Sequence, residues 1–302
     1  MAGPRLRAFR TRAVSRAFSV VRAIGRRIPL ATGRRLGRAL GRLAWHVARR
    51  ERRKALANFA VAFPDRTDAQ RREAIRAMFR HLGESLFEMV WLPNLDVAMM
   101  ARTTTIEGME PLRALIDAGR GVMAFTGHCG NWEWLARVVS LSGCPVTTMQ
   151  RERDDEDMGQ FIADVRADGG IRSIDRGSAT SGREMLQAIR RGGILAFLID
   201  QNIRAESVKV PFFGRPALTP IGPAKLAVRT GTTVVTMFID RRPDGTQHVR
   251  VNPPIEVSRD DDPVALTARI TADTEAQIRR VPEQWVWMHD RWRERPKWDV
   301  GG

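Results

Sequence analysis

From residue 95 onward, short apolar runs that read as buried strands alternate with segments of helical periodicity, and few folds accommodate that alternation. The strand-like runs are 103–107, 121–126, 145–150, 194–200, 233–240 and 247–252. Between and after them lie helical patterns at 109–118, 131–141, 156–167, 181–191, 222–230 and 263–280. A turn, Pro243-Asp244-Gly245, separates the last two strands. Strands joined through helices pair in parallel and need cover on both faces. The expected fold class is therefore α/β, a mostly parallel central sheet flanked by helices. A further helix is expected at 70–91, where Ile75, Phe79, Leu82, Leu86, Met89 and Val90 recur at helical steps.

The first 54 residues are different. They hold 16 Arg and Lys54 against one acid, Glu51, which equals the formal charge of +16 of the whole 302-residue chain. The remainder is electrically balanced. Such an arm seeks polyanions. Leu6, Phe9, Ala13, Ala17, Val20 and Ile24 form one helical stripe, and Leu36, Leu40, Leu43 and Val47 form another after Pro29. Gly33, Gly37 and Gly41 repeat at the spacing that lets helices approach closely in lipid. Arginines every few residues leave no run of about 18 apolar residues, so a conventional membrane span is rejected. An Arg-rich amphipathic helix lying in the headgroup layer is the expectation, beside a solvated basic helix that covers the core and an organellar transit peptide. No nucleic-acid partner is expected, because the arm has few aromatics for base stacking and shows no helix-turn-helix or zinc pattern. The domain reading is a basic arm at 1–54 and a balanced globular body at 55–302.

Two cysteines, Cys129 and Cys144, cannot build a disulfide framework and fit a reducing compartment. No metal centre is expected, since the five His lack a second ligand at a zinc-like interval.

The stretch that carries chemistry is Phe125-Thr126-Gly127-His128-Cys129-Gly130-Asn131-Trp132-Glu133. It runs from an apolar strand through a Gly-bounded turn into a helix. Ligands of parallel sheets bind at the carboxyl ends of strands, where His128 sits. Five residues span roughly 500° of helix, so His128 and Glu133 meet only if His128 lies in the turn and Glu133 in the first helical turn. A carboxylate on one ring nitrogen then leaves the other free as a base. The plainer reading is a His that is an ordinary turn residue and a Glu favoured by the helix dipole. No GxSxG elbow is present. Cys129, beside His128, is a weaker thiol candidate.

These residues belong to a longer series that resembles the HtrB/LpxL/LpxM family of lipid A biosynthesis acyltransferases, within the lysophospholipid acyltransferase group. Gly127–Glu133 matches the family's box and the group's hallmark of His, four residues and an acid. Arg53–Phe59 with Ala62–Pro64, Gln150-Arg151, Asp200-Gln201, Pro211–Ala217 followed by Gly222–Ala227, and 282–289 with Arg291-Trp292 resemble further blocks in the same order. Two departures stand out: the Tyr expected before Arg151 is absent, and an Arg-studded arm replaces the usual apolar N-terminal helix.

The resemblance implies acyl transfer from a thioester to a lipid hydroxyl, with His128 as general base oriented by Glu133. Backbone N–H groups at 130–132 and Arg151 are candidates for the oxyanion, and Asn131, Arg151, Asp200 and Gln201 for substrate binding. Arg151 has an alternative as a salt-bridge partner of Asp154, Asp155, Glu156 or Asp157, and Asp200 as a cap. Phe212, Phe213 and Leu218 either wall an acyl channel or are core. Trp285, Trp287, Trp292 and Trp298 either meet the membrane interface or pack. No cofactor is implied, only acyl carrier protein or acyl-CoA as co-substrate. The implied partners are acyl carrier protein, an anionic membrane surface and a glycolipid acceptor, and the implied place is the cytoplasmic face of the inner membrane, peripheral or monotopic. A phosphatidylinositol mannoside or aminolipid acceptor, a thioester hydrolase and a non-enzymatic membrane-surface protein remain as alternatives.

Overall fold

The computed structural model describes residues 23–151 and 156–293. Three helices come first: α1 (Leu30–Val47), α2 (Arg49–Ala62) and α3 (Asp68–Trp91). Thr67 and Gln70 start α3 with a reciprocal capping box, two residues before the expected start. Then follow α4 (Val97–Thr103), β1 (Thr104–Glu107), α5 (Met109–Asp117), β2 (Val122–Thr126), α6 (Trp132–Leu141), β3 (Val146–Arg151) and α7 (Glu156–Asp168). The second half holds β4 (Arg172–Arg176), α8 (Ser181–Arg190), β5 (Ile194–Leu198), β6 (Ser207–Phe212), β7 (Arg215–Pro220), α9 (Gly222–Thr230), β8 (Val234–Arg241), β9 (Gln247–Val251) and α10 (Pro263–Arg280).

Seven strands form one sheet in the order β1-β9-β8-β2-β5-β3-β4. All neighbours are parallel except β8 and β9, the pair joined by the Pro243-Asp244-Gly245 turn. The pleat sends alternate residues of β2 to opposite faces. Val122 and Ala124 enter a core with Trp134, Leu135 and Val138 of α6 and with Phe161 and Val165 of α7. Met123 and Phe125 enter another, with Ala188 of α8, Ala224 and Leu226 of α9 and Leu266 and Ile270 of α10. Cover on both faces follows directly, as expected for a parallel sheet. The short β4 and the β6–β7 hairpin escaped the periodicity reading. β4 is an edge strand that buries Ile174 alone of its Arg172–Arg176 run, so it carries almost no apolar alternation.

The line at residue 54 is not an edge of the core. Trp45 of α1 and Ala55 and Phe59 of α2 share one cluster with Phe79 of α3 and Trp287. The glycine ridge works inside the protein. A methyl placed on Gly37 would stand 2.3 Å from the Gly83 carbonyl oxygen of α3, and one on Gly41 2.2 Å from that of Phe79. The same spacing that permits close packing in lipid here seats α1 directly on α3. The other face of α1 carries Leu36, Leu40, Leu43 and Val47, between 51% and 69% exposed. Ile24 is also exposed, whereas the rest of the first stripe, Leu6 to Val20, lies outside the described residues. Among the described residues no helix is long and apolar enough to cross a membrane.

Candidate active site

β2 and β5 are adjacent and parallel, with Phe125 beside Phe197 and Thr126 beside Leu198. Their carboxyl ends therefore bring the turn after β2 next to the residues after β5. That turn, Gly127 to Asn131, is clamped from the far end of the chain. The His128 carbonyl accepts the Val286 N–H at 3.2 Å, and the Gly130 N–H donates to the Gln284 carbonyl at 2.8 Å. Gly130 has φ +61°, and a methyl there would meet the Ile239 carbonyl oxygen at 2.1 Å, so no other residue fits this corner.

His128 faces the end of β5. Its Nδ1 lies 2.8 Å from Asp200 Oδ1. Asp200 Oδ2 accepts the His128 backbone N–H at 2.7 Å and the Trp285 indole N–H at 2.7 Å. Burial alone would raise the Asp200 pKa, but the neighbouring imidazole and these hydrogen bonds hold it well below the ordinary carboxylate range. A charged carboxylate on Nδ1 requires the proton there. The Nε2 lone pair is then the basic one, on a ring that forms part of a cavity wall.

Glu133 does occupy the first turn of α6, but its carboxylate lies on Arg166 of α7 rather than on the imidazole. Arg166 Nε donates to Oε2 at 2.9 Å and Nη2 to Oε1 at 2.6 Å. Both side chains are at most 10% exposed; burial acts to lower the Arg166 pKa, and the Glu133 charge and its hydrogen bonds more than offset that and raise it. The expected His128–Glu133 hydrogen bond is therefore replaced by His128–Asp200. The reason is geometric: Asp200 follows the strand beside the one that leads to His128, whereas Glu133 meets the Arg166 guanidinium of α7, which needs a buried counter-charge.

Asn131 is spent inside the protein. Its Oδ1 caps α6 by accepting the Trp134 N–H at 3.1 Å, and its Nδ2 donates to Glu88 at 2.7 Å. That arrangement departs from a substrate-binding role. Of the proposed oxyanion donors, the Gly130 N–H is already bonded to Gln284. Arg151 ends β3 in register with Arg176 on β4, and of its four alternative partners Asp154 and Asp155 lie outside the described residues. Gln201 does reach the cavity wall, with its Nε2 2.6 Å from His289 Nε2. The His289 ring stands 5.7 Å from that of His128, and burial followed by the nearby His128 lowers its pKa to about 4, so it is neutral at pH 7.

The cavity has a volume of about 820 Å³. His128, Gln201 and His289 line one part of it, and Met149, Met185 and Leu226 supply an apolar part. Phe212, Phe213, Trp285 and Trp287 belong instead to the core beneath the C-terminal block, which decides for packing over an acyl channel or a membrane belt. Trp292 packs against that core, and Trp298 lies outside the described residues. Cys129 is fully buried, and burial first, then Asp200, pushes its thiol pKa well up, which disfavours a thiolate. No cluster of three metal-ligating side chains occurs among the described residues. Arg166, Trp285 and His289 were not assigned to the site from sequence, since each is brought there by a distant element.

Comparison with known proteins adds an independent observation. A profile described as bacterial lipid A biosynthesis acyltransferase matches residues 5–294. The chain is 29% identical over 273 residues to the lipid A biosynthesis lauroyltransferase of Escherichia coli K12, covering 87% of this chain and 86% of that one. It is 28% identical over 271 residues to the palmitoleoyltransferase of the same organism, covering 86% and 85%. It is 27% identical over 223 residues to a phosphatidylinositol mannoside acyltransferase of Mycobacterium tuberculosis, covering 72% and 69%. A match of this extent, on a chain whose strand-end histidine opens onto a large part-apolar cavity, places the protein in the bacterial lipid A biosynthesis acyltransferase family and makes it an acyltransferase.

Proposed function

We propose that the protein transfers a fatty acyl chain from a thioester, on acyl carrier protein or coenzyme A, to a hydroxyl of a lipid A precursor. The observation that carries this reading is the His128 ring, held at Nδ1 by Asp200 and opening at the wall of an 820 Å³ cavity. A hydroxyl is a poor nucleophile. His128 Nε2 takes its proton as the oxygen attacks the thioester carbon, an effect worth roughly 10²–10⁴-fold. Asp200 steadies the imidazolium. The new C–O bond forms, the C–S bond breaks, and the departing thiolate takes the proton back. No acyl-enzyme is needed, in keeping with the buried, protonated Cys129. The apolar part of the cavity suits an acyl chain.

The place of action is the cytoplasmic face of the inner membrane. The exposed Leu36, Leu40, Leu43 and Val47 stripe on α1 supports monotopic contact, and the basic arm adds attraction to anionic lipid of about 1 kcal/mol for each Lys or Arg near the surface. A phosphatidylinositol mannoside acceptor is a second reading, favoured by the mycobacterial relative.

The test incubates purified protein with dodecanoyl acyl carrier protein and, separately, a lipid A precursor and a phosphatidylinositol mannoside, and follows the lipids by mass spectrometry. Addition of one acyl mass to the lipid A precursor is expected. Acylation of the mannoside alone would transfer the reading to that acceptor, and free fatty acid as the sole product would make the protein a hydrolase.

A further inference from the structure

Beneath the motif turn lies a buried ion lattice that the transfer mechanism does not use. Its centre is Glu88, near the end of α3 and fully buried. Oε1 accepts from Arg34 Nε of α1 at 2.6 Å. Oε2 accepts from Arg241 Nη2 of β8 at 2.6 Å and from Asn131 Nδ2 at 2.7 Å. Two turns earlier on α3, His81 accepts from Arg241 at Nδ1, 2.8 Å away, and its ring also hydrogen-bonds the Gly130 backbone. Two residues of α3 thus grip two consecutive residues of the turn that holds His128.

A carboxylate in a dry site carries a penalty of several kcal/mol that its ion pairs only offset, so an apolar side chain would support the sheet at least as well. What the lattice adds is direction. Asn131 Nδ2 has one buried acceptor, and its other end caps α6. The side chain is fixed at both ends, which sets where the turn leaves Gly130 and where the His128 ring stands. A displacement of about 1 Å at a reacting group costs on the order of 10²-fold in rate.

We propose that Glu88 is a positioning residue for the transfer reaction: it holds the His128 turn through Asn131, while Arg34 ties that hold to the helix whose outer face is the exposed apolar stripe. The kinetic part of this proposal rests on the acyl-transfer reading. The geometric part does not.

The test exchanges the two partners. Asn131→Asp keeps an oxygen to cap α6 but sets a second carboxylate against Glu88. Glu88→Gln removes the anion. The double variant restores one amide and one carboxylate with their places exchanged. With dodecanoyl acyl carrier protein and a lipid A precursor, Asn131→Asp is expected to lower kcat about 100-fold with KM nearly unchanged, and the double variant to recover to within about tenfold of wild type. The second readout is the His128 Nδ1–H proton by NMR in protein labelled at histidine. It should move or broaden in each single variant and return toward the wild-type position in the double variant.

Wild-type kcat and an unmoved proton in Asn131→Asp would overturn the proposal, as would a double variant no better than Asn131→Asp. If Asn131→Asp fails to fold, Glu88→Gln decides alone: a displaced His128 proton supports the hold, and an unmoved one refutes it. If the wild-type protein transfers no acyl chain, the acyl-transfer reading falls and the NMR series still decides the positioning.

Discussion

Asp200 reaches His128 from the end of β5 and accepts three N–H groups, two of them from His128 itself. Glu133 reaches the same cavity from the first turn of α6 but closes on Arg166 in a two-point ion pair. One carboxylate is directed at the His128 imidazole and the other at a cation. Glu133 is five positions after His128, and Asp200 is 72 positions after it. The acid nearer in sequence is not the one bonded to the imidazole, because adjacent parallel strands bring their carboxyl ends together whatever the length of chain between them.

The largest effect that would break this comparison is loss of the proposed base. His128→Ala should lower kcat by at least the 10²–10⁴-fold typical of a general base, with folding and membrane binding retained. Near-normal turnover in the purified variant would remove His128 from the chemistry.

The Glu133 side should respond in stability. Arg166→Ala leaves a buried carboxylate without its partner and should cost about 3–5 kcal/mol, read as a lowered urea midpoint. An unchanged midpoint would mean that the pair supports nothing.

Acid should act on the lattice beneath the turn. Burial, followed by Arg241, lowers the His81 pKa from 6.5 to about 3. The folded state therefore resists a proton that the unfolded chain accepts. Stability from His81 is complete above pH 6.5 and falls as pH drops from 6.5 toward 3. His289 adds the same sign between 6.5 and about 4. Urea midpoints followed from about pH 7 to about pH 4 should fall, and His81→Gln should flatten the slope. Equal slopes in the two proteins would show that His81 takes up its proton in the fold as readily as in the unfolded chain.

How far the site was legible in sequence depends on how local each signal is. The strand-turn-helix around His128 was readable because its apolar run, glycines and helix start are contiguous. Asp200 was readable as a strand-end acid, but its role was not, since nothing local says that β5 lies beside β2. The acid five residues after His128 suggested a dyad, and Arg166, on another helix, redirected it. The C-terminal tryptophans read equally as interface or core. Burial decided for Trp285 and Trp287, and the indole of Trp285 proved to be a donor to Asp200. On α1 both stripes were visible, and their directions were not. The glycines face α3 inside the protein, which turns the leucines outward.

That outward face predicts the smallest effect. Leu40→Asp should weaken binding to anionic liposomes by about tenfold or more, in line with about 1.5–3 kcal/mol for burying one leucine, and change transfer to a detergent-dispersed acceptor by less than about twofold. Removing residues 1–28 should likewise loosen binding and reduce its salt dependence. Co-sedimentation with neutral liposomes that ignores salt would contradict an interfacial arm.

The central claim is that Asp200, and not Glu133, orients the base. It is tested most directly by kcat for Asp200→Asn and Glu133→Gln measured side by side, on folded protein, with one thioester and one acceptor. Asn at 200 keeps the shape but removes the charge that fixes the Nδ1–H tautomer, so kcat should fall by about 10³-fold or more, as a misdirected imidazole in a His–Asp pair does. Glu133→Gln should fall by about tenfold or less, since its partner is Arg166 and the base keeps its orientation. The reverse order, with Glu133→Gln crippled and Asp200→Asn active, would contradict the account.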